Sequence, residues 1–468
     1  MKRSILYIAT AFCVAVFQPA AAQTGTAQKQ TPPPGGKAKD FKLSAKKTQS
    51  YANGLKSTLV QYGTLPKATI SLIIKTGNVH EGPNQVWLAD LTGRMLREGT
   101  ANADFAALSK KVAMMGGSLN VSVGPTQTTI SGSVLSEYAP DFIRLVSDLV
   151  QQPAFSASEL ERLKGNLKRQ LITQKASPQA QAQEQFMQAI YKDHPYGRIF
   201  PTEEMINSYT VDMVKDFYDK NFGAKRSVIY VVGKFDEAAV ASAVNSTLTK
   251  WKAGSEISYP EVNITPVVDT MLIDRKGAPQ TTLMVGMPVV TPTNKDYVPL
   301  LVTNSLLGGS FGSRITSNIR ENKGYTYSPF STIQNRKGSA LWYEQADVTS
   351  EHTVNALNEI EKEIKRLQME PPTKEELAGI QNYEAGIFVL QNSTPNGIIG
   401  QLNFLDLYGL DDSYLNNLVK NIYAVTPEKV SEVAKKHIQY DKMTKVMIGD
   451  KEAVQQQIEK QKSMKKTF

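Results

Sequence analysis

The sequence predicts an α+β protein built twice over, with two homologous domains, each a largely antiparallel mixed sheet with helices packed on it. Three observations carry that expectation. The chain has 468 residues, too many for one ordinary domain. Short β-branched runs alternate with stretches whose apolar residues recur every three to four positions, so strands and amphipathic helices are interleaved. Finally, three landmarks recur in order at a nearly constant offset. Leu160 and Leu377 lie 217 residues apart in similar helix starts, Thr210/Thr426 and Gly233/Gly449 are each 216 apart, and TISLIIKTG precedes TTLMVGMPV by 212. Three matches in register mark an internal duplication.

In the first copy, TISLIIK, LNVSVG, TTISGSV and SVIYVVG read as strands. Residues 118–124 and 127–134 flank a Gly-Pro turn and predict an antiparallel pair. Helices are expected over 103–115, 137–152, 157–177 and 210–221. Ser158 is the expected N-cap of the third, and Thr373 caps its counterpart PTKEELAGIQNYEAGIF. Gly116-Gly117-Ser118 and Gly308-Gly309-Ser310 read as turns.

Residues 1–22 read as an export signal: Lys2 and Arg3, then an apolar run to Phe17, then Ala20-Ala21-Ala22 as a small-residue cleavage site. Residues 23–40 form a Pro- and Gly-rich lead-in, 41–255 the first domain, 256–268 a linker and 269–468 the second domain. No later stretch approaches the ~20 apolar residues of a membrane span, so the expected protein is exported, to the periplasm or alternatively secreted, with no span once the signal is cleaved. The one cysteine, Cys13, lies inside the signal; disulfides, thiolate nucleophiles and cysteine zinc sites are excluded from the mature chain. Net charge is +9 but is spread along the chain apart from Lys460, Lys462, Lys465 and Lys466, which read as a solvated terminus. No nucleic-acid motif accompanies it. There is no G-x-S-x-G elbow and no P-loop.

Residues 306–328, LLGGSFGSRITSNIRENKGYTYS, hold a Gly-Gly pair, a short S-R helix and then R-E-x-x-G-x-x-Y. In the first half LADLTGRMLREGT, MGGSLNVSV, ELERLK, YKDHPYGR and VVGKFD follow in order. Together these strings resemble the pitrilysin/insulinase-type zinc peptidases, related to mitochondrial processing peptidase, over nearly all of residues 40–450. The resemblance implies two α+β domains forming half of a peptidase clamshell around an extended peptide. It also implies that Arg320 and Tyr327 grip substrate and stabilise the oxyanion of the scissile bond. Gly308 and Gly309 fall in the same substrate-gripping segment, and Ser118 and Asn120 on an edge strand that pairs with substrate backbone.

The family's zinc motif, His-x-x-Glu-His before M-L-x-x-G-T, is degenerate here. Asp90 stands at the first histidine, Gly93 at the general-base glutamate and Arg94 at the second histidine; the third ligand position aligns near Arg169 or Gln170. Zinc needs about three N, O or S ligands, arginine offers no lone pair, and glycine cannot take a proton from water. Asp90 and Arg94 stand at i and i+4, so an ion pair between them is expected. The four histidines, His80, His194, His352 and His437, are at least 85 residues apart, and His194 reads as part of a turn. Expected, then, are no metal on this chain, zinc on a His-x-x-Glu-His-bearing homologous partner, and extended peptides as substrates. The function that follows is the non-catalytic, substrate-binding subunit of a two-chain zinc peptidase. The alternative is a peptidase-like scaffold or peptide-binding protein with no catalytic partner.

Overall fold

A computed structural model describes residues 41–265 and 267–466; the expected signal and lead-in lie outside the described residues. The first half contains six main strands, β1 (Lys46–Ser50), β2 (Lys56–Gln61), β3 (Lys67–Ile74), β4 (Asn120–Val123), β5 (Thr128–Leu135) and β6 (Ser227–Gly233). They form one sheet in the order β1-β2-β6-β3-β5-β4, with β2/β6 parallel and the other pairs antiparallel. Its helices are α1 (Leu88–Arg97), α2 (Phe105–Met114), α3 (Ala139–Gln151), α4 (Ala157–Ala176), α5 (Pro178–Tyr191), α6 (Glu203–Ser208), α7 (Val211–Asn221) and α8 (Glu237–Thr247).

The second half repeats the design. Its strands are β7 (Thr270–Asp274), β8 (Gln280–Val289), β9 (Phe330–Arg336), β10 (Ser339–Thr349) and β11 (Thr444–Gly449). Their order is β7-β11-β8-β10-β9, again with one parallel pair, β7/β11. Laid over β2-β6-β3-β5-β4, every neighbour and every strand direction agrees, so the expected duplication and fold class are borne out. The helices are α9 (Tyr297–Asn304), α10 (Thr353–Met369), α11 (Lys374–Gln391), α12 (Pro395–Tyr408), α13 (Asp412–Tyr423), α14 (Pro427–His437) and α15 (Lys451–Lys466). No described helix is long and apolar enough to cross a membrane.

The halves exchange one helix each. On β6 successive side chains divide between two cores: Ile229 and Val231 join Leu72, Leu91 and Phe142, whereas Val228, Tyr230 and Val232 join the core that contains α12. On the second sheet, Met284, Leu341, Tyr343, Val446 and Ile448 are covered by Phe186, Met187, Ile190 and Tyr191 of α5. Each sheet is thus closed on one face by its own helices and on the other by a helix of the opposite half. Both exchanged helices start alike, Ser177-Pro178 and Thr394-Pro395, with the hydroxyl accepting from Ala180 N and Gly397 N. Polar contacts tie the exchange: Tyr230 Oη donates to the Asp406 carboxylate, and Gln179 Nε2 donates to Asp347 Oδ2 at 2.9 Å. Burial of side chains this large is worth ~1.5–3 kcal/mol each, so the halves are held as one body.

Local chemistry explains most element ends. Thr210, Thr373 and Thr426 cap their helices by accepting from the third amide along, Thr373 as expected. Ser158 does not cap α4; the helix begins at Ala157, Ser156 holds the N-cap position two residues earlier, and the two hydroxyls are 2.8 Å apart. The first turns of α15 are seated by buried Val454, and Gln457 Nε2 donates to Ser350 O at 2.8 Å, whereas Lys460 and Lys462 are exposed, as expected of a solvated terminus.

Candidate functional site

Helix α1 carries the degenerate metal motif and lies across β4. Its start is unusual. The N-cap residue Trp87 has φ +70° and offers no capping side chain. The cap comes instead from Glu81, whose Oε1 accepts from Ala89 N at 2.9 Å and from Asn78 Nδ2 at 3.1 Å. Glu81 is fully buried, and burial, then the nearby Asp90 charge, pushes its carboxyl up to about 8. Nothing in the sequence reading singled it out; the available signal was an acidic residue upstream of a helix that lacks a capping side chain of its own.

The expected Asp90–Arg94 ion pair does not form. Asp90 Oδ2 accepts from Asn78 Nδ2 at 2.7 Å, and Arg94 Nη2 donates to Gln170 Oε1 at 2.5 Å. Burial pushes the Asp90 carboxyl up, against the opposing pulls of Asn78 and the Arg94 charge. Arg94 turns instead to α4, so the second histidine position and the third-ligand position bond to each other. Gly93 is filled from the other side: a Cβ there would lie 2.7 Å from Val123 Cγ2 and 3.6 Å from Val121 Cγ1. The residues present do not fit zinc. One carboxylate is committed to Asn78, a cation occupies the second ligand position, an amide already holds that cation, and a valine of β4 sits where the general base would stand. Among the described residues no three His, Cys, Asp or Glu side chains converge as a metal site.

The histidines stay apart. His80 Nε2 is 3.0 Å from Ser258 O, and burial, with Arg226 adding to it, lowers its ring to about 4. His194 Nδ1 accepts from Tyr196 N at 3.1 Å, the turn-capping role expected of it. His352 stacks on Tyr325, and His437 bonds Asp296.

The second half brings its expected residues together. After α9 the chain continues in a wide turn over Ser305–Gly309, and a second wide helical segment spans Thr316–Asn322. Such i→i+5 turns are uncommon and concentrate at functional positions. Two side chains anchor this segment from beneath. Arg314 donates to both oxygens of Glu376 at 2.7 and 2.9 Å, and Asn318 donates to Glu359 and Glu363 at 2.8 and 2.7 Å. Gly324, at φ +65°, reverses the chain so that Tyr325 N donates back to Ile319 O at 2.8 Å.

On the outer side, the Arg320 guanidinium lies 5.2 Å from the centre of the Tyr327 ring and 4.3 Å from that of Phe311. Arg320 also meets Glu321 at 3.4 Å, but Tyr327 is 80% exposed and Phe311 71%, so neither ring packs into the fold. Phe311 is not among the residues expected here; its signal in the sequence is an aromatic immediately after Gly-Gly-Ser. A guanidinium held between two exposed rings can present N–H donors and a phenol to one acceptor.

Gly308 and Gly309 are helical, not a turn with free φ. A Cβ on Gly308 would lie 2.5 Å from Glu344 Oε2 and 2.6 Å from Ser331 Oγ, and one on Gly309 2.4 Å from Asn304 Nδ2. Close packing on β9 and β10 therefore requires the first, and close approach to Asn304 of α9 the second. Glu344 behind them is buried with neither oxygen bonded among the described residues, and burial raises its carboxyl well above the usual range. Ser118 and Asn120 are both exposed; β4 pairs only with β5, and its outer edge is free among the described residues.

A repeated α+β body with a packed-over motif helix in one half, and a half-buried arginine beside an exposed tyrosine in the other, defines a peptidase-like protein whose motif positions do not fit zinc. Residues 58–202 match the insulinase (peptidase family M16) model and residues 208–383 the peptidase M16 inactive domain, and the chain belongs to the M16 peptidase family. It is 22% identical over 386 residues to an uncharacterized zinc protease, YmxG, of Bacillus subtilis, covering 82% of this chain and 93% of that protein. It is equally 22% identical over 391 residues to the non-peptidase homolog YmxG of Helicobacter pylori, covering 83% and 90%. The crystal structure of a peptidase M16 inactive domain from Pseudomonas fluorescens superposes with a TM-score of 0.79 at 26% identity, covering 86% of this chain and 98% of that one. A Helicobacter pylori protease structure superposes at 0.80 with 17% identity, covering 87% and 100%.

Proposed function

We propose that this protein is the non-catalytic, substrate-binding subunit of a two-chain zinc peptidase acting in an exported compartment. A homologous partner bearing His-x-x-Glu-His supplies metal and general base. This chain supplies Arg320 and Tyr327 to the oxyanion of the peptide bond being cut, and the free edge of β4 to an extended peptide. The observation that carries the reading is the contrast between the two half-sites. The metal positions are committed to internal contacts, whereas Arg320, Tyr327 and Phe311 stand outward on a segment anchored by Arg314 and Asn318. The Helicobacter pylori relative described as a non-peptidase homolog supports the loss of independent activity.

The test is to co-express the chain with the His-x-x-Glu-His homologue encoded in the same genome and assay quenched-fluorescent peptides. Neither chain should cleave alone, and the pair should. Arg320→Ala or Tyr327→Phe should lower kcat of the pair by ~10²–10³ while the two chains still co-purify. Full activity of a pair carrying both substitutions would refute the assigned roles. Failure of the two chains to associate would favour the scaffold reading.

A further inference from the structure

The C-terminal turn of α1 carries a chemistry of its own. Arg94 and Arg97 line a cavity of about 620 Å³ together with Phe105 and Arg162. Arg97 and Phe105 also wall a second cavity of about 210 Å³, whose lining includes Ser118 and Leu119, the residues that lead into the free edge of β4. The two cavities therefore flank one Arg97–Phe105 partition beside the edge where a peptide strand would add.

The acidic groups of the larger cavity are already engaged. Arg162 holds Glu98 at 2.6 Å and Glu159 at 2.7 Å, and Asp104 accepts from Ala107 N at 2.8 Å as the cap of α2. Arg94 donates to the neutral amide of Gln170. Arg97 is exposed and has no hydrogen bond or ion pair among the described residues; its guanidinium rests 5.4 Å from the centre of the Phe105 ring, itself 42% exposed. A ring face orients a guanidinium without satisfying its in-plane N–H donors. What remains without a polar partner is the Arg97 guanidinium, in a lining that holds three carboxylates, two of them paired with Arg162 and the third, Asp104, capping α2.

We propose that this cavity receives an acidic side chain of the bound peptide, so that Arg97 sets a preference for aspartate or glutamate at one position along the β4 edge. The inference rests on the reading that an extended peptide adds to β4. Strand addition supplies affinity through main-chain bonds and leaves selection to pockets met by alternate side chains, and Arg97 is positioned for that selection.

The experiment measures fluorescence polarisation of end-blocked, β-prone decapeptides carrying a single central Glu, Gln or Lys, titrated with the full chain and again with the chain–partner pair. The Glu peptide should bind about tenfold more tightly than the Gln peptide, with the gap shrinking as salt rises. Arg97→Met should remove the gap while leaving Gln-peptide binding unchanged, and Arg97→Glu should favour the Lys peptide. Arg97 is on the surface at a helix end, so both variants should fold. Equal binding of all three peptides by the wild type overturns the proposal and leaves peptide addition to β4 standing. Binding of none of them, by chain or pair, overturns both.

Discussion

The packing of Val123 into the space beside Gly93 predicts a specific energetic coupling. Gly93 is the sixth of ten residues in α1, a position where alanine ordinarily stabilises a helix by ~1 kcal/mol over glycine. A Cβ there meets Val123 Cγ2 at 2.7 Å, and Val123 belongs to a strand whose other neighbour is fixed by pairing with β5. Overpacking of this kind costs about 1–3 kcal/mol. Gly93→Ala should therefore be neutral to destabilising by about 2 kcal/mol in the native background, the difference of the two effects. With Val123→Ala the clash is gone, and the same Gly93→Ala change should stabilise α1 by ~1 kcal/mol. The coupling in the double-mutant cycle is then about 1–3 kcal/mol. A chain of this length is not expected to unfold in one step, so the readout is native-state hydrogen exchange on α1 amides in the four proteins. If Gly93→Ala alone slows exchange, and coupling with Val123 falls below ~0.5 kcal/mol, the space is open and the motif helix has not been packed shut.

Two further perturbations probe the anchors of the two half-sites. Glu81 keeps its proton in the native chain to about pH 8, whereas the unfolded chain releases it near the ordinary carboxylate range; the native state thus binds the extra proton, and stability falls as pH rises from about 4.5 toward 8. Glu81→Gln, which preserves an acceptor for Ala89 N, should flatten that slope and raise Tm at pH 8 while leaving pH 4 nearly unchanged; thermal melts with identical slopes in both proteins would contradict the assignment. Arg314→Lys replaces a two-pronged contact to Glu376 with a point charge, and should loosen the 305–328 segment by about 1.5–3 kcal/mol, seen as faster hydrogen exchange there with unchanged exchange in α1.

The repeat was legible because its signals are local: the offsets near 216, threonine caps and period-two apolar runs each survive without tertiary knowledge. That residues 90–94 read DLTGR and not His-x-x-Glu-His was legible for the same reason, since it is a matter of residue type. What filled the vacated positions was not. Arg94 chooses Gln170, 76 residues away, over Asp90 one turn back because Asp90 is already held by Asn78, a loop contact invisible to helix spacing. Gly93 looks like an absent base in sequence, and only the register of β4 against α1 reveals the valine beside it. The helix exchange was hidden too. The α5 pattern marks an apolar face but does not say whose sheet covers it, and the answer lies across the duplication. Gly308 and Gly309 read as turn formers because glycine commonly supplies positive φ; here they are helical and small because Glu344, Ser331 and Asn304 approach so closely.

The two half-sites differ in a way that stability alone does not explain. In the first half, every change has been absorbed by the interior: a charge finds an amide, a glycine accommodates a valine, and a buried carboxyl shares Asn78 with its neighbour. The three motif positions themselves thus need nothing further from solvent or ligand, unlike Arg97 one turn on. In the second half, the buried anchors Arg314 and Asn318 would hold the segment whether or not Arg320, Phe311 and Tyr327 were present. Those three remain outward, two of them large rings more than two-thirds exposed, and burial contributes little to their retention. A half-buried arginine between exposed aromatics, on an anchored segment, fits the contact with a second chain proposed above. That asymmetry, and not the missing histidines by themselves, is what supports the proposed partner-dependent role.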